Sequence, residues 1–219
     1  AMLMAWGAVP YALSTASVGK YCRAAVGASD AGATVHGLLA HAQHIARVMR
    51  DRLAVDFWRL LSHPFAPLDP EEGDVLVERL ARLTDIFSAI SGQAAENMGR
   101  SHGWHFHDLG RRLERAVNLC RLARQFASGS AGPDDLSALL DLADCQISYR
   151  TRYLASLSLL PVRDLVLLER QNPRSLAYQI DSIGAHLAAF PPLRDDGMPE
   201  PAVQIAAGLS ACLLYTSPS

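Results

Sequence analysis

The stretch of sequence that decides the fold is GWHFHDLGRRLERAVNLCRLARQF, from Gly103 to Phe126. Its apolar residues recur at the spacing of one face of an α-helix. The pattern therefore predicts a long helix with a core-facing stripe. This predicted stripe consists of Leu109, Leu113, Val117, Leu119 and Leu122.

Charged residues stand at the edge of this stripe. Glu114 follows Leu113 directly, and Arg111 and Arg115 lie one helical turn apart on the same side of the helix. Charged side chains are seldom buried unless they have a partner. The stretch therefore encodes either a structural ion-pair network or part of a binding site.

The rest of the chain also favours helix. Ala, Leu and Arg are frequent, and alternating runs of β-branched residues do not occur. Helical patterns joined by short loops predict an all-α fold, an antiparallel multi-helix bundle of about seven helices. The predicted helices cover residues 34–62 (continuous, or restarting near 51), 69–98, 101–127, 134–159, 161–170, 172–190 and 201–214.

Capping residues indicate where several of these helices begin. Thr34 has the hydroxyl group that an N-cap requires. Asp69 with Pro70, and Asn172 with Pro173, are typical pairs of an N-cap and the first helical residue.

Composition limits the functions that the chain can have. Of the 219 residues, 50% are hydrophobic and 19% are charged, as in an ordinary globular domain, and the formal net charge is −2. Proteins whose main partner is nucleic acid usually carry a basic face, so we expect no nucleic-acid partner. The uncharged run over residues 1–19 is typical of neither a signal peptide nor a membrane span, so we expect no membrane association.

The cysteines indicate the cellular compartment. Cys22, Cys120, Cys145 and Cys212 show no CxxC spacing. Cys212 lies in the last eight residues, which we interpret as a non-native tail. The other three dispersed cysteines are typical of a reduced, cytoplasmic protein with buried thiols, and they predict neither a disulfide framework nor a zinc site.

Three stretches resemble motifs of the alpha-E domain family, an uncharacterised bacterial family of α-helical domains named for a Glu-Arg motif. The segment that starts at Gly103 resembles the family's GW-x-F-x-DLGRRLERA signature. The segment RDRLAVDFWRLL, from Arg50 to Leu61, resembles its RDRLS-x-D-x-WR segment, and NPRSLAYQI, from Asn172 to Ile180, resembles its late PRS motif. The motifs occur in the family's order and together cover roughly residues 35 to 190.

The resemblance implies one helical domain over residues 1–211. The family's opening helix does not precede these motifs, so we expect the domain to be incomplete at its N-terminal end. Residues 212–219, CLLYTSPS, resemble a translated sequencing adapter, and we interpret them as a non-native tail.

The resemblance also implies partners. Members of the family occur beside, or fused to, circularly permuted ATP-grasp ligase-like proteins, and with transglutaminase-like peptidases. We therefore expect a non-catalytic helical accessory domain, without a cofactor, that works with an ATP-grasp protein in the synthesis or modification of peptide or amide bonds.

The charged motif favours an alternative function as an enzyme or as a domain that binds an anionic ligand. Arginine grips carboxylate and phosphate groups with two parallel hydrogen bonds, so Arg111, Arg115 and Arg174 are candidates to hold an anion, with Glu114 orienting them. In the structural alternative, Arg174 is the candidate partner of Glu114. The full set of candidate site residues is Trp104, Asp108, Arg111, Glu114, Arg115, Arg174 and Ser175.

A second alternative is a metal-binding helical bundle. His41 with His44, and His102 with His105, lie one helical turn apart. Metal sites in bundles usually add Glu or Asp ligands in Glu-x-x-His spacing, which this sequence lacks. We therefore predict no metal site; the ligands of this alternative would be His41, His44 and His105.

Overall fold

A computed structural model of the chain describes residues 25–27, 34–65, 74–154, 156–193 and 197–216. These residues form nine α-helices and no strand, so the predicted all-α fold is confirmed. The helices exceed the predicted number because two of the predicted helices are each divided in two. Contacts group the chain into two compact units, residues 1–99 (unit 1) and residues 100–219 (unit 2).

Unit 1 contains three of the described α-helices: α1 (Val35–Val48), α2 (Val55–Leu61) and α3 (Asp74–Asn97). Thr34 is the N-cap of α1, as predicted, because its hydroxyl accepts a hydrogen bond from the amide of Gly37 at 3.1 Å.

The helical segment over residues 34–62 restarts and does not run through. α1 ends at Val48, a 3₁₀ turn covers Arg50–Arg52, and α2 begins after the extended residue Ala54. One buried cluster of unit 1 joins α2 to α3, and another joins α1 to α3. These clusters consist of Phe57, Ile90 and Ala94, and of Leu39, Leu76 and Leu83.

Unit 2 contains the other six α-helices and one π-helical turn, which lies between α7 and α8. These elements are α4 (His102–Phe126), α5 (Pro133–Leu142), α6 (Gln146–Tyr153), α7 (Leu159–Arg163), the π-helical turn (Asp164–Leu168), α8 (Leu176–Ala188) and α9 (Pro201–Tyr215).

A break at Asp144 divides the predicted helix over residues 134–159. Asp144 has a φ of +55°, in the left-handed region that Asp occupies more readily than most residues. The amide of Cys145 donates to the carbonyl of Leu140 at 2.8 Å, which closes the end of α5 before α6 begins. Neither Gly nor Pro stands at this position, so the usual stop signals are missing and the predicted continuous helix is wrong.

Three helices of unit 2 pack side by side. His105 on α4 lies against His186 on α8, whereas Arg112, further along α4, lies against Gln179, earlier on α8. The two helices are therefore antiparallel, and α9 also packs against α8. The core that these helices share is the cluster of Ala116, Ile180, Ile183 and Ala206.

The start of α8 differs from the prediction. Ser175, and not Asn172, is the N-cap, because its hydroxyl accepts a hydrogen bond from the amide of Tyr178 at 3.1 Å. Asn172 is buried and closes the preceding turn: its Oδ1 accepts from the amide of Arg174 at 3.0 Å, and its Nδ2 donates to the carbonyl of Leu165 at 2.9 Å. Arg174 thus lies before α8 and not in its first turn.

The predicted apolar stripe of α4 is partly wrong. Leu119 and Leu122 are buried as predicted, and Leu109 packs against the core. Leu113 and Val117 are instead 46% and 45% exposed. The buried residues of α4 are Asp108, Ala116, Leu119 and Leu122. The buried face therefore includes a carboxylate, which displaces the stripe from the position that apolar spacing alone predicts.

The cysteine prediction holds for one thiol. Cys145 is buried, whereas Cys120 and Cys212 are exposed. Cys22 lies outside the described residues, as do residues 1–19 and the predicted cap pair of Asp69 and Pro70.

The last helix extends into the segment that was interpreted as a tail. Residues 212–215 form the last turn of α9, and Leu213 packs against the core of unit 2. Among the described residues, no helix is sufficiently long and apolar to span a lipid bilayer.

Candidate functional site

The centre of the charged motif is a buried carboxylate. Asp108 is 4% exposed. Its Oδ1 accepts hydrogen bonds from Nε of Arg111 at 3.0 Å and from Nη2 of the same residue. Its Oδ2 accepts from Nε of Arg112 at 3.0 Å and from Nε2 of His186 at 2.7 Å. Asp108 therefore pairs with both guanidinia, those of Arg111 and Arg112.

These hydrogen bonds determine the charge of Asp108. Burial by itself would raise the pKa of Asp108, because it penalises the charged form. The hydrogen bonds from Arg111, Arg112 and His186 outweigh burial and hold the pKa of Asp108 far below its usual range. Asp108 is therefore an ionised anchor that joins α4 to α8.

A pair of histidines extends this network. An ionised carboxylate only accepts hydrogen bonds, so Nε2 of His186 donates to Asp108. Nδ1 of His186 lies 3.0 Å from Nδ1 of His105, so one hydrogen lies between these two nitrogens, whichever ring carries it. The Trp104 ring meets both imidazoles edge-on, at centroid distances of 5.0 and 5.1 Å.

Gln179 connects Arg112 to the start of α8. This fully buried side chain accepts a hydrogen bond from Nη1 of Arg112 at 3.2 Å, and its Nε2 donates to the carbonyl of Pro173 at 2.7 Å. The guanidinium of Arg112 also lies over the ring of Tyr178, 5.2 Å from its centroid. Arg112 thus holds α4 against α8.

Four of the candidate site residues line one cleft of unit 2. Arg111, Glu114 and Arg115 on α4 meet Arg174, from the turn before α8, around an open cleft of about 340 Å³. The anion-binding alternative requires these side chains to converge in an open pocket, and they do so. The remaining lining residues are Asn118, Leu119, Leu122, Leu142 and Ala143.

Glu114 and Arg174 are not partners within this cleft, so the predicted pair is wrong. Oε1 of Glu114 accepts a hydrogen bond from Nδ2 of Asn118 at 3.0 Å. Nη2 of Arg174 lies 2.6 Å from Oδ2 of Asp144. Arg174 is held in the turn that Asn172 closes. Asp144, whose backbone is left-handed, places its carboxylate beside Arg174 in the position that Glu114 was predicted to take.

Among the described residues, Arg115 is the cation of the cleft that lacks a counter-ion. It is half-buried, and within the described ranges its guanidinium forms no hydrogen bond or salt bridge. Burial lowers the pKa of Arg115, and the guanidinia of Arg174, Arg111 and Arg112 lower it further against the opposing effect of Asp108. Arginine stays charged in proteins, so Arg115 is a half-buried positive charge beside three other guanidinia.

The other three candidate residues, Trp104, Asp108 and Ser175, do not line the cleft. Asp108 is the buried anchor described above, and the other two also belong to the fold. The guanidinium of Arg100 lies over the ring of Trp104, 4.1 Å from its centroid. Ser175 is fully buried, caps α8, and donates to the carbonyl of Glu169 at 2.5 Å. Both side chains are engaged by the fold of unit 2.

Two residues of the network, His186 and Asp144, are not among the residues predicted from the sequence. His186 follows Ile183 by one turn on the buried face of α8, and a polar residue at a buried helical position requires a partner. That signal could have identified His186. The contribution of Asp144 depends on its left-handed backbone, for which the sequence offers no comparable signal.

The metal-binding alternative would draw its ligands from both units. His41 and His44 belong to unit 1, whereas His105 belongs to unit 2 and contacts His186. Across the part of the chain that the structure describes, no group of three or more His, Cys, Asp or Glu side chains is arranged to hold a metal ion.

The chain belongs to the Alpha-E family, which is described as a predicted alpha-helical domain with a conserved ER motif, and the family model matches residues 1–219. Glu114 and Arg115, which line the cleft, form an ER pair within the signature on α4.

The chain is similar to uncharacterised mycobacterial proteins. It is 32% identical over 168 residues to a protein of Mycobacterium bovis and to proteins of two strains of Mycobacterium tuberculosis. The match covers 71% of this chain but 19% of each relative, so the chain spans about a fifth of their length. No solved structure matches the chain.

Proposed function

We propose that unit 2 is a non-catalytic binding domain that holds an anionic group of its ligand in the cleft between α4 and the turn before α8. The observation that carries this proposal is Arg115, a half-buried guanidinium in the cleft with no counter-ion among the described residues. A ligand anion would supply the missing partner, because buried charges are stabilised by pairing.

The neighbours of Arg115 support the same function. Arg111 is held by Asp108, so its position is fixed before a ligand arrives, and a preorganised group binds at a lower entropic cost. Arg174 lies on the opposite side of the cleft with its charge partly exposed. Glu114 and Asn118 add an acceptor and a donor that can orient the rest of the ligand.

The test is a titration of the chain with acetate, and separately with inorganic phosphate, followed by the NMR signals of the arginine Nε–H groups. We expect saturable shifts at Arg115. Arg115→Gln should weaken binding about tenfold or more, the effect of losing a charge-assisted hydrogen bond.

The matched control for this titration is Arg124→Gln. Arg124 lies on the same helix, is exposed, and does not line the cleft. Binding to Arg124→Gln should equal binding to the unchanged chain. An equal loss of anion affinity in Arg115→Gln and Arg124→Gln would show only unspecific attraction of anions by positive charge. The absence of any saturable shift would refute the proposal.

The comparisons favour a second candidate function, an accessory domain that serves a larger protein. In the mycobacterial relatives, the matched segment is one part of a much longer chain. As the family resemblance implies, we propose an ATP-grasp ligase-like protein as the partner, with a transglutaminase-like peptidase as another, in the synthesis or modification of peptide or amide bonds. Co-purification with an ATP-grasp protein encoded beside a complete homologous domain would support this candidate. No association between the complete proteins at micromolar concentration would contradict it.

A further inference from the structure

The lining of the cleft carries more positive than negative charge. Its ionisable groups are Arg111, Arg115 and Arg174, and Glu114, and the carboxylates of Asp108 and Asp144 bind Arg111 and Arg174 from outside the lining. Asp108 and Asp144 thus offset two of the three lining guanidinia, and the third, Arg115, has no carboxylate partner among the described residues.

Arg115 is therefore the lining guanidinium without a carboxylate partner in the part of the chain that the structure describes. Asp108 is shared by two other guanidinia, and Asp144 is paired with Arg174. Glu114 is hydrogen-bonded to the neutral amide of Asn118. A ligand with a single negative charge supplies the partner that Arg115 lacks, whereas a dianion introduces an excess of negative charge beside Glu114. Electrostatic complementarity therefore favours a monoanion.

Apolar side chains form the other part of the cleft. Leu119 and Leu122 of α4 are buried beneath it, and Leu142 at the end of α5 is 44% exposed and lines the cleft with Ala143. The exposed part of Leu142 is apolar surface that a ligand can cover, with a gain in affinity that grows with the area removed from water. Small-molecule sites usually combine such apolar walls with a few oriented polar groups.

On the basis of the proposed function, we infer that the ligand is a monocarboxylate attached to an aliphatic group. The carboxylate lies at Arg115, between Arg111 and Arg174, and the aliphatic group covers Leu142. This chemistry has two sources, the C-terminal residue of a peptide that ends in an aliphatic amino acid and a free aliphatic acid. In the first source, the amide N–H of the terminal residue faces the carboxylate of Glu114.

The test is isothermal titration calorimetry of the full chain with N-acetyl-L-leucine. Acetate lacks the aliphatic group, N-acetyl-L-leucinamide lacks the charge, and inorganic phosphate carries more charge and no aliphatic group. We expect N-acetyl-L-leucine to bind at least about tenfold more tightly than acetate, N-acetyl-L-leucinamide or inorganic phosphate. The reason is that apolar burial and charge pairing each contribute about a factor of ten to the affinity.

Two variants separate the ionic from the apolar contribution. Arg115→Gln should weaken the binding of N-acetyl-L-leucine and the binding of acetate by the same factor. Leu142→Ser should weaken the binding of N-acetyl-L-leucine about threefold to tenfold and leave the affinity for acetate unchanged. Leu142 is partly exposed, so its replacement preserves the fold, which circular dichroism verifies; Arg124→Gln again serves as the control.

The outcomes distinguish this inference from the proposed function. If acetate or phosphate binds as tightly as N-acetyl-L-leucine, the inference is overturned while the anion site stands. If no anion binds, the proposed function fails and the inference fails with it. Isocaproate identifies the source: affinity equal to that of N-acetyl-L-leucine supports a free aliphatic acid, and clearly weaker affinity supports a peptide C terminus.

Discussion

Asp108 and Glu114 carry the same charge on the same helix, yet their surroundings give them opposite roles. Asp108 is buried and accepts hydrogen bonds from two guanidinia and one imidazole. Glu114 is exposed and accepts one hydrogen bond, from Asn118. The fold depends on the first carboxylate, and the second is available to a ligand.

We expect Asp108→Asn to lower the free energy of unfolding by about 3–5 kcal/mol, the usual effect of removing one partner from a buried ion pair. Because Arg111 keeps some contact with water, the loss should lie toward the lower value. Glu114→Gln is the matched control and should change the free energy by less than about 0.5 kcal/mol, as exposed substitutions do. Urea denaturation followed by circular dichroism measures both, and equal losses would contradict the assignment of roles.

The lowered pKa of Asp108 also predicts how stability depends on pH. An unfolded aspartate titrates near pH 3.9, and in the folded chain the pKa of Asp108 lies below that value. The unfolded state therefore binds the proton more readily, and the stabilisation by Asp108 is complete above the unfolded pKa and is lost as pH falls toward the folded pKa.

The difference in unfolding free energy between the unchanged chain and Asp108→Asn should accordingly be constant from about pH 5 to pH 7 and should shrink below about pH 4. Denaturant titrations at a series of pH values measure this difference, and other carboxylates cancel in the comparison. A difference that grows on acidification would show that the sign of the pKa shift is wrong.

At the scale of elements, α8 meets α9 at a glycine. A Cβ added to Gly184 would lie 4.0 Å from the Cβ of Ala206, which is ordinary van der Waals contact. Glycine costs about 1 kcal/mol relative to alanine in a helix interior. The interface therefore has room for one methyl group, and the helix gains from it.

We expect Gly184→Ala to raise the free energy of unfolding by up to about 1 kcal/mol. Gly184→Leu should lower it by about 1–3 kcal/mol, because a larger side chain overpacks the contact with Ala206. Thermal denaturation of the two variants checks both directions. If Gly184→Ala destabilises the chain, the two helices approach more closely than the structure indicates.

Sequence periodicity and capping chemistry account for most of the elements. Both predict α4 to within a residue at each end, and Thr34 is the cap that its hydroxyl indicated. These two signals fail where a polar side chain can either cap a helix or close a turn. Asn172 was the predicted cap but closes a turn, and Ser175 caps the helix. They also fail at Asp144, where a left-handed backbone ends a helix without Gly or Pro.

The candidate site was predictable in its residue types but not in its pairing. Arg111, Glu114, Arg115 and Arg174 could be selected because charged groups beside an apolar stripe require partners. Which partner each one finds depends on neighbouring helices, since Arg174 pairs with Asp144, which is distant in sequence. Local spacing contains no information about such pairs.

At the scale of the whole molecule, the chain contains two groups of contacts, each with its own buried clusters. Leu139 of α5 is fully buried in unit 2, and Ile90 of α3 is buried in unit 1. The prediction of one domain over residues 1–211 stays a prediction, and the cooperativity of unfolding decides between one domain and two.

We expect Leu139→Ala, which removes about 2–5 kcal/mol of core packing, to accelerate amide hydrogen exchange throughout unit 2 and to leave unit 1 unchanged. Ile90→Ala is the reciprocal variant and should accelerate exchange in unit 1 alone. Mass spectrometry of peptides from each unit measures this. Acceleration in both units by either variant would show that the chain unfolds as one domain.

The contact between His105 and His186 requires one hydrogen atom between the two facing ring nitrogens of unit 2. A neutral imidazole and a neutral or charged partner can share one hydrogen between their facing nitrogens, but two charged rings would point two N–H bonds at each other. The position of this hydrogen atom is thus set by the geometry of the two rings. Without the contact between the rings, α4 and α8 would be joined by Asp108 and Gln179 alone among the polar links described between them.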